Sequence, residues 1–282
     1  MEENRPSATA QKVAIRRAAH QLLDDPLVFA DPLAVRIIGP RASTTLLAAP
    51  EKFQTRSSRY LRALIAARSR FALDELALAV DRGVRQLVVL GAGLDTFAYQ
   101  NPYPGLRVFE VDHPATQLWK RERLELVGIA APESLTFAPV NFERETVEEG
   151  LLRAGYSAAD PALFSWLGVT PYLTSETTLN TLRLIRALSP RNGVVFDFAV
   201  PPESLSGSRR AAFDELAARV ASVGEPFVGF FDPAGLRQAL EEIGFPSIQL
   251  LDAKAIDGRY FKGREDGLRV EGSVAHLVCA TG

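Results

Sequence analysis

Apolar and polar positions along the chain follow two rhythms, and the change comes near residue 84. Before it the spacing is helical. Val13, Ala14, Ala18 and Leu22 fall on one face between Ala8 and Leu23, and Asp24-Asp25-Pro26 breaks the pattern. Asp31-Pro32 opens a short second helix, with Asp31 as N-cap and Pro32 at the first position, and Gly39-Pro40 ends it. Between 57 and 80 a longer stripe runs Leu61, Leu64, Ile65, Phe71, Ala72 and Leu76, with Gly83 just beyond.

After residue 85 short, nearly continuous apolar runs take over: QLVVL (86–90), LRVFEV (106–111), SLTFAPV (134–140), ALFSWLGV (162–169) and GVVFDFAV (193–200). Runs this rich in Val, Phe and Leu predict strands buried on both faces of a parallel sheet. Helical spacing returns between them, with Leu118, Leu124 and Val127 in 114–127, and Leu179, Leu182, Ile185 and Leu188 in 175–188. Strand and helix in alternation predict a doubly wound α/β sheet with right-handed crossovers. The last third predicts a helix over 209–223 and another entered at Asp232-Pro233 and left at Gly244. Two closing strands, SIQLLDA and GSVAHLVCAT, flank a polar, glycine-rich stretch from 257 to 272. The chain reads as one α/β domain, a helical cap or lid over 1–84 on a sheet core over 85–282.

Composition narrows the partners. At 282 residues, 47% apolar and 23% charged, the chain can bury a core without disulfide or metal staples. A net charge of −2 with no long run of one sign gives no reason to expect nucleic acid or an anionic membrane. The polar start Met-Glu-Glu-Asn-Arg-Pro lacks the segments of a secretion signal, and no apolar run approaches the ~20 residues of a membrane span. One cysteine, Cys279, makes no intrachain disulfide, so a cytoplasmic protein is expected. Cys279 and the scattered His20, His113 and His276 make no metal-ligand spacing. The expected partner is a small molecule, with a homodimer as the assembly to consider.

The candidate chemistry begins where QLVVL meets Gly91-Ala92-Gly93-Leu94-Asp95. Glycines after a first strand let the backbone turn tightly and approach a ligand, at the sheet edge where open α/β folds bind. A dinucleotide turn wants a third glycine at position 96, and Thr96 stands there, so the ligand expected is smaller and less anionic than NAD. The next strand ends at Asp112, twenty-one residues after Gly91, where an acid can accept both hydroxyls of a ribose. Asp112 could instead cap the helix that starts at Pro114. Arg68 lies within the apolar stripe of the long helix, where a guanidinium either snorkels to the surface or pairs with a carboxylate. S-adenosylmethionine carries such a carboxylate and NAD does not.

Taken together, VVLGAGLDT, FEVDHPATQLWKRE, FSWLGVTPYLT and FDPAGLRQALEEIGF resemble the bacterial S-adenosylmethionine-dependent methyltransferases related to leucine carboxyl methyltransferase. The resemblance runs from about Ala14 to Ala280. It implies the class I methyltransferase fold, a Rossmann-like, seven-stranded, mostly parallel sheet whose last strand is antiparallel. By position it implies that Arg68 meets the cofactor carboxylate. Gly91, Ala92 and Gly93 would form the turn beside the methionine moiety, and Asp112, with His113 next to it, would hold the ribose. An Asp-Leu pair that brackets the adenine in relatives reads Asn141-Phe142 here. Many relatives carry a glutamate where Leu167 stands, at a cofactor-contacting position, and often an arginine where Phe97 stands. Both changes remove charge, and Trp166, Tyr172 and Tyr99 lie close in sequence to the same strand ends.

The activity so implied is O-methyl transfer to a carboxylate or hydroxyl of a small molecule. A carboxylate acceptor needs no base, whereas a hydroxyl benefits from one. His113 is the candidate base and Tyr172 the candidate group to position the acceptor; each also has a structural reading, as a helix-opening residue and as packing beneath the cap. Two other readings stand beside this one. Leu167 and Phe97 fit a cofactor-binding domain without turnover, and a similar sheet serves NAD-dependent oxidoreductases, although Thr96 and the lack of a Tyr-x-x-x-Lys pair speak against that.

Overall fold

The computed structural model describes residues 8–141, 144–222, 224–270 and 275–282. The cap comprises α1 (Ala8–Leu23), α2 (Ala34–Ile37), α3 (Pro40–Ala48) and α4 (Arg56–Asp81). The core then runs β1 (Gln86–Leu90), β2 (Arg107–Asp112), α5 (Pro114–Leu126), β3 (Leu135–Pro139), α6 (Val147–Arg153) and β4 (Ala162–Trp166). It continues with α7 (Ser175–Leu188), β5 (Gly193–Ala199), α8 (Gly207–Ala221), α9 (Pro233–Ile243), β6 (Ser247–Leu251), α10 (Ala253–Tyr260) and β7 (Ala275–Thr281).

The seven strands are ordered β3-β2-β1-β4-β5-β7-β6. The first five pair in parallel, and β7 inserts antiparallel between β5 and β6. Every residue of β1 and β5 is buried, as apolar runs covered on both faces require. The order reverses between β1 and its neighbours β2 and β4, which opens a crevice at their carboxyl ends.

Three apolar clusters hold the layers. One lies between α4 and the sheet, with Phe71, Leu76, Leu87, Val89, Val108 and Leu277. The second covers the other face, with Val88, Phe109, Phe164, Trp166, Phe196 and Leu240. The third joins the cap to the core through Ala14, Ala18, Ile37, Ile38, Leu94 and Leu124.

Four expectations are corrected. Asp31 is not the N-cap residue of α2, which starts after Leu33 without a side-chain cap; its Oδ1 accepts the Leu33 N–H at 3.1 Å and so opens the turn that leads into the helix, while its other oxygen turns inward. Gly39-Pro40 ends α2 but also starts α3, because Gly39 adopts a left-handed φ of 83° and Pro40 suits the first helical turn. Within the polar stretch expected from 257, α10 runs through Tyr260, started by Asp252, whose side chain accepts the Ala255 N–H at 2.8 Å. The fourth is α6, an unexpected helix with a capping box formed by Thr146 and Glu149. Asp232 and Gly244 bracket α9 as expected, Gly244 with a φ of 99°.

Candidate active site

The glycine turn is held by the strand beside it. Gly91 and Ala92 both donate to the Val111 carbonyl, at 2.8 and 3.2 Å, which pins the end of β1 to β2. Gly91 and Gly93 sit at φ 68° and 47°, the left-handed region that glycine enters without strain. A Cβ at Gly91 would lie 2.5 Å from Val169 Cγ2, and one at Gly93 would meet Ala10 of α1 at 3.1 Å. The first turn of the cap therefore packs directly over the turn.

Asp112 ends β2 and reaches into this turn. Its Oδ2 accepts the Gly93 N–H at 2.6 Å and its Oδ1 accepts the His113 N–H at 2.7 Å. Burial raises its pKa, against those two donors and the nearby Lys120. The capping role that Asp112 might have filled belongs to His113, whose Nδ1 accepts the Ala115 N–H at 3.2 Å. A carboxylate has about four lone-pair sites, so each Asp112 oxygen keeps capacity for a hydroxyl. An Nδ1 that accepts leaves the ring proton of His113 on Nε2.

Arg68, on α4, is buried and reaches beneath the β4–β5 edge. Its Nη1 lies 3.2 Å from Asp197 Oδ2, and Asp197 Oδ1 accepts the Gly168 N–H at 2.5 Å. Gly168 has a φ of 70°, and a Cβ there would strike the Arg68 guanidinium at 2.5 Å. Asp197 thus sets the arginine at the end of β4, and the guanidinium, with five donors, retains others for a second carboxylate. Asn141 follows β3 beside the end of β2, where the Val140 N–H bonds the Asp112 carbonyl at 3.0 Å. Phe142 lies outside the described residues. Arg68, the glycine turn, Asp112 and Asn141 thus line the carboxyl edge of neighbouring strands, with the donors and acceptors an adenosyl cofactor bearing a carboxylate needs.

Thr96 explains the missing third glycine. It is buried, and its hydroxyl donates to Asp31 Oδ2 at 2.7 Å. Asp31 also pairs with Arg17 Nε at 2.7 Å and accepts from Gln100 at 3.1 Å, while Arg17 donates to the Leu94 carbonyl at 2.5 Å. The turn is fastened to the cap rather than shaped for a pyrophosphate.

Tyr172 packs beneath the cap. Burial, the largest influence, raises its pKa, against the pull of a hydrogen bond with Thr9 and of Arg68. Thr9 also donates to Glu225, and the Tyr172 ring lies 5.2 Å from that of Phe227, so this corner ties α1 to the loop after α8.

A cavity of about 220 Å³ opens between α4, β1, β4 and the segment after the turn. Its wall includes Phe29, Leu73, Leu76, Val89, Phe97, Tyr103 and Leu167, with Ser69, Asp95, Gln100 and Ser165 as polar groups. It is not the place where Arg68, Asp112 and Asn141 gather. The two adjoin at Asp95, two residues past Gly93, and at Leu167, next to Gly168. Phe97 and Leu167, where this sequence departs from the resemblance, both face it. Trp166 does not: strand alternation sends Ser165 toward the cavity and Trp166 to the opposite face, 6.3 Å from Phe196. Tyr99 is half-buried near the Lys120 ammonium, 5.4 Å from its ring.

Asp197, Gly168 and Asp95 were not singled out from sequence. An acid inside GVVFDFAV is itself a signal, because a carboxylate in a doubly buried strand needs a partner.

Comparison with known proteins agrees with this geometry. Residues 10–186 match the family model described as leucine carboxyl methyltransferase. YktD of Bacillus subtilis (strain 168), named for S-adenosyl-L-methionine-dependent methyl transfer, is 28% identical over 291 aligned positions, 95% of each chain. A Mycobacterium bovis protein named for the same activity is 34% identical over 191 positions, 64% of this chain and 54% of that one. Among solved structures, a DUF574 family protein from Streptomyces avermitilis shares the fold with a TM-score of 0.56, 15% identity and 96% coverage of both chains. A Thermobifida fusca protein described as a methyltransferase does so at 0.54 and 15%, over 92% of this chain and 98% of that one. The chain belongs to the leucine carboxyl methyltransferase family and is an S-adenosylmethionine-dependent methyltransferase.

Proposed function

We propose that the protein transfers the methyl group to an oxygen atom of a small molecule bound in the cavity beside Asp95 and Leu167. The observation that carries this reading is the position of the cavity: it adjoins the glycine turn and the Gly168–Arg68 corner, so an acceptor there lies beside the cofactor groups. In this reading Asp112 accepts the ribose hydroxyls, Arg68 meets the cofactor carboxylate, and Asn141 borders the adenine. Gly91, Ala92 and Gly93 give the backbone room to approach. The bound cofactor supplies a sulfonium methyl group, and displacement at that carbon depends mostly on alignment of the two reactants.

His113 and Tyr172 take narrower roles than the sequence suggests. His113 opens α5 beside the proposed ribose ligand Asp112, and Tyr172 anchors the cap over the site. The near-neutral net charge supports a small-molecule acceptor over nucleic acid, and the single cysteine fits a cytoplasmic setting. Among the described residues no helix is long and apolar enough to cross a membrane.

The test is calorimetric titration with S-adenosylhomocysteine, followed by mass spectrometry of products from a panel of small oxygen, nitrogen and sulfur acceptors. Wild-type binding that weakens at least about tenfold in Asp112→Ala, with the new methyl group on oxygen, is the expected result. Product methylated only at nitrogen or sulfur would overturn the oxygen assignment. Cofactor binding with no product from any acceptor would favour a binding domain without turnover.

A further inference from the structure

The cavity wall carries charge of one sign. Among the described residues that line it, Asp95 is the only ionisable carboxylate and no side chain is basic. Cations of the neighbouring elements are engaged elsewhere, among them Arg17 with Asp31 at 2.7 Å, Arg68 with Asp197 at 3.2 Å, Arg70 with Asp74 at 2.7 Å and Lys120 with Glu110 at 2.6 Å. A carboxylate acceptor would enter an apolar chamber and meet another carboxylate, with no cationic side chain in the wall to offset it. Like charges held together in such a setting repel, which disfavours the anionic acceptor.

Asp95 is also fixed in place. Its Oδ1 accepts the Phe97 N–H at 2.8 Å, which holds the side chain at the start of the segment that walls the cavity. It stands two residues from Gly93, whose N–H is bound by the proposed ribose ligand Asp112. The rest of the wall, from Phe29 and Leu73 through Phe97, Tyr103 and Leu167, suits a flat apolar body.

Resting on the oxygen-transfer reading above, we infer that this cavity selects a neutral, ring-bearing acceptor with an acidic hydroxyl, a phenol or enol, and that Asp95 both selects it and takes its proton. A carboxylate is a weak base, so it suits a phenolic hydroxyl better than an aliphatic one. The acceptor oxygen forms its bond to the methyl carbon as the carbon–sulfur bond breaks and its electron pair stays on sulfur. The hydroxyl proton passes to Asp95. Ser69 and Ser165, two of the uncharged polar groups of the wall, can orient the hydroxyl.

The test uses a matched pair, 2-naphthol and 2-naphthoate, with the full-length protein loaded with S-adenosylhomocysteine. Titration should show 2-naphthol binding at least about tenfold more tightly than 2-naphthoate. In Asp95→Asn the amide oxygen can still accept the Phe97 N–H, so the segment keeps its anchor. This variant should narrow the gap to about threefold or less by strengthening naphthoate binding, with cofactor affinity unchanged. Methylation of 2-naphthol by S-adenosylmethionine should fall about a hundredfold in the same variant. Naphthoate binding as tight as naphthol, a gap that Asp95→Asn leaves intact, or binding of neither probe while the cofactor product binds would overturn the inference and leave oxygen transfer standing. Methylation of 2-naphthalenethiol with none of 2-naphthol would instead overturn the oxygen reading, and this inference with it.

Discussion

At the scale of single residues, the site depends on backbone conformations that only glycine takes easily. Gly168 is the sharpest case, because its left-handed φ of 70° coincides with an Arg68 guanidinium that occupies the space a Cβ would fill. Gly168→Ala should cost about 1–3 kcal/mol from backbone strain alone, read by urea unfolding. It should also push Arg68 off Asp197 and weaken S-adenosylhomocysteine binding about tenfold or more, read by calorimetry. Unchanged binding would show that Arg68 does not touch the cofactor. Some of this residue chemistry was legible in sequence. Arg68 stood out because a charge interrupted an apolar stripe, and it is indeed paired. Its partner was not legible, since Asp197 lies 129 positions away and only the packing of α4 against β5 brings the two together.

At the scale of elements, β2 and α5 are joined by a buried ion pair. Glu110 Oε2 meets Lys120 Nζ at 2.6 Å, and neither side chain is exposed to solvent beyond 1%. Burial pushes the Glu110 carboxyl up to about 7, against the pull of Lys120. Its Oε1 has no hydrogen-bond partner among the described residues, so the pair gives up water on one side without full replacement. Breaking a pair of this kind strands one charge. Glu110→Gln should therefore destabilise the protein by about 3–5 kcal/mol, whereas the double change Glu110→Gln with Lys120→Met should recover much of that. Urea unfolding of the three proteins decides it, and equal losses in the single and double variants would show that the pair itself stabilises. Sequence periodicity placed β2 and α5 to within about a residue, because apolar runs and the Pro114 start are local signals. It could not show that Glu110 faces Lys120, because that contact depends on how α5 is rotated against the sheet.

At the scale of the whole molecule, the cap is fastened to the core and to itself by buried polar networks. Asp24 accepts from Arg62 Nε and Nη2 at 2.6 and 2.7 Å and from His20 Nδ1 at 2.8 Å, which locks α1 to α4. Burial alone would raise the Asp24 pKa, but the bonds from His20 and Arg62 outweigh it and hold it below the ordinary value of 3.8. The unfolded chain therefore takes up this proton first as pH falls. The stability it contributes is present above about pH 3.8 and is lost as pH drops through the lower folded value. Asp24→Asn should be about 3–5 kcal/mol less stable at neutral pH and should lose stability less steeply in acid. Urea unfolding across pH 2–7 checks both. An acid limb as steep as that of the wild type would place the titrating group elsewhere.

What the sequence determined by itself was the architecture: strands at 86–90 and, to within a residue, at 193–200, the long helix of the cap, the glycine turn, and the acid that ends the second strand. Each is written in neighbours along the chain, as a period of two or 3.6, a glycine where φ must be positive, or a proline at a helix start. What only the tertiary structure decided was assignment among equivalent groups. It gave the cap of α5 to His113 and so freed Asp112; it made Asp31, which opens the turn before α2, also the clasp for Thr96; and it set Asp95, Phe97 and Leu167 around one cavity. Those choices depend on distances between residues far apart in sequence, which no local pattern contains.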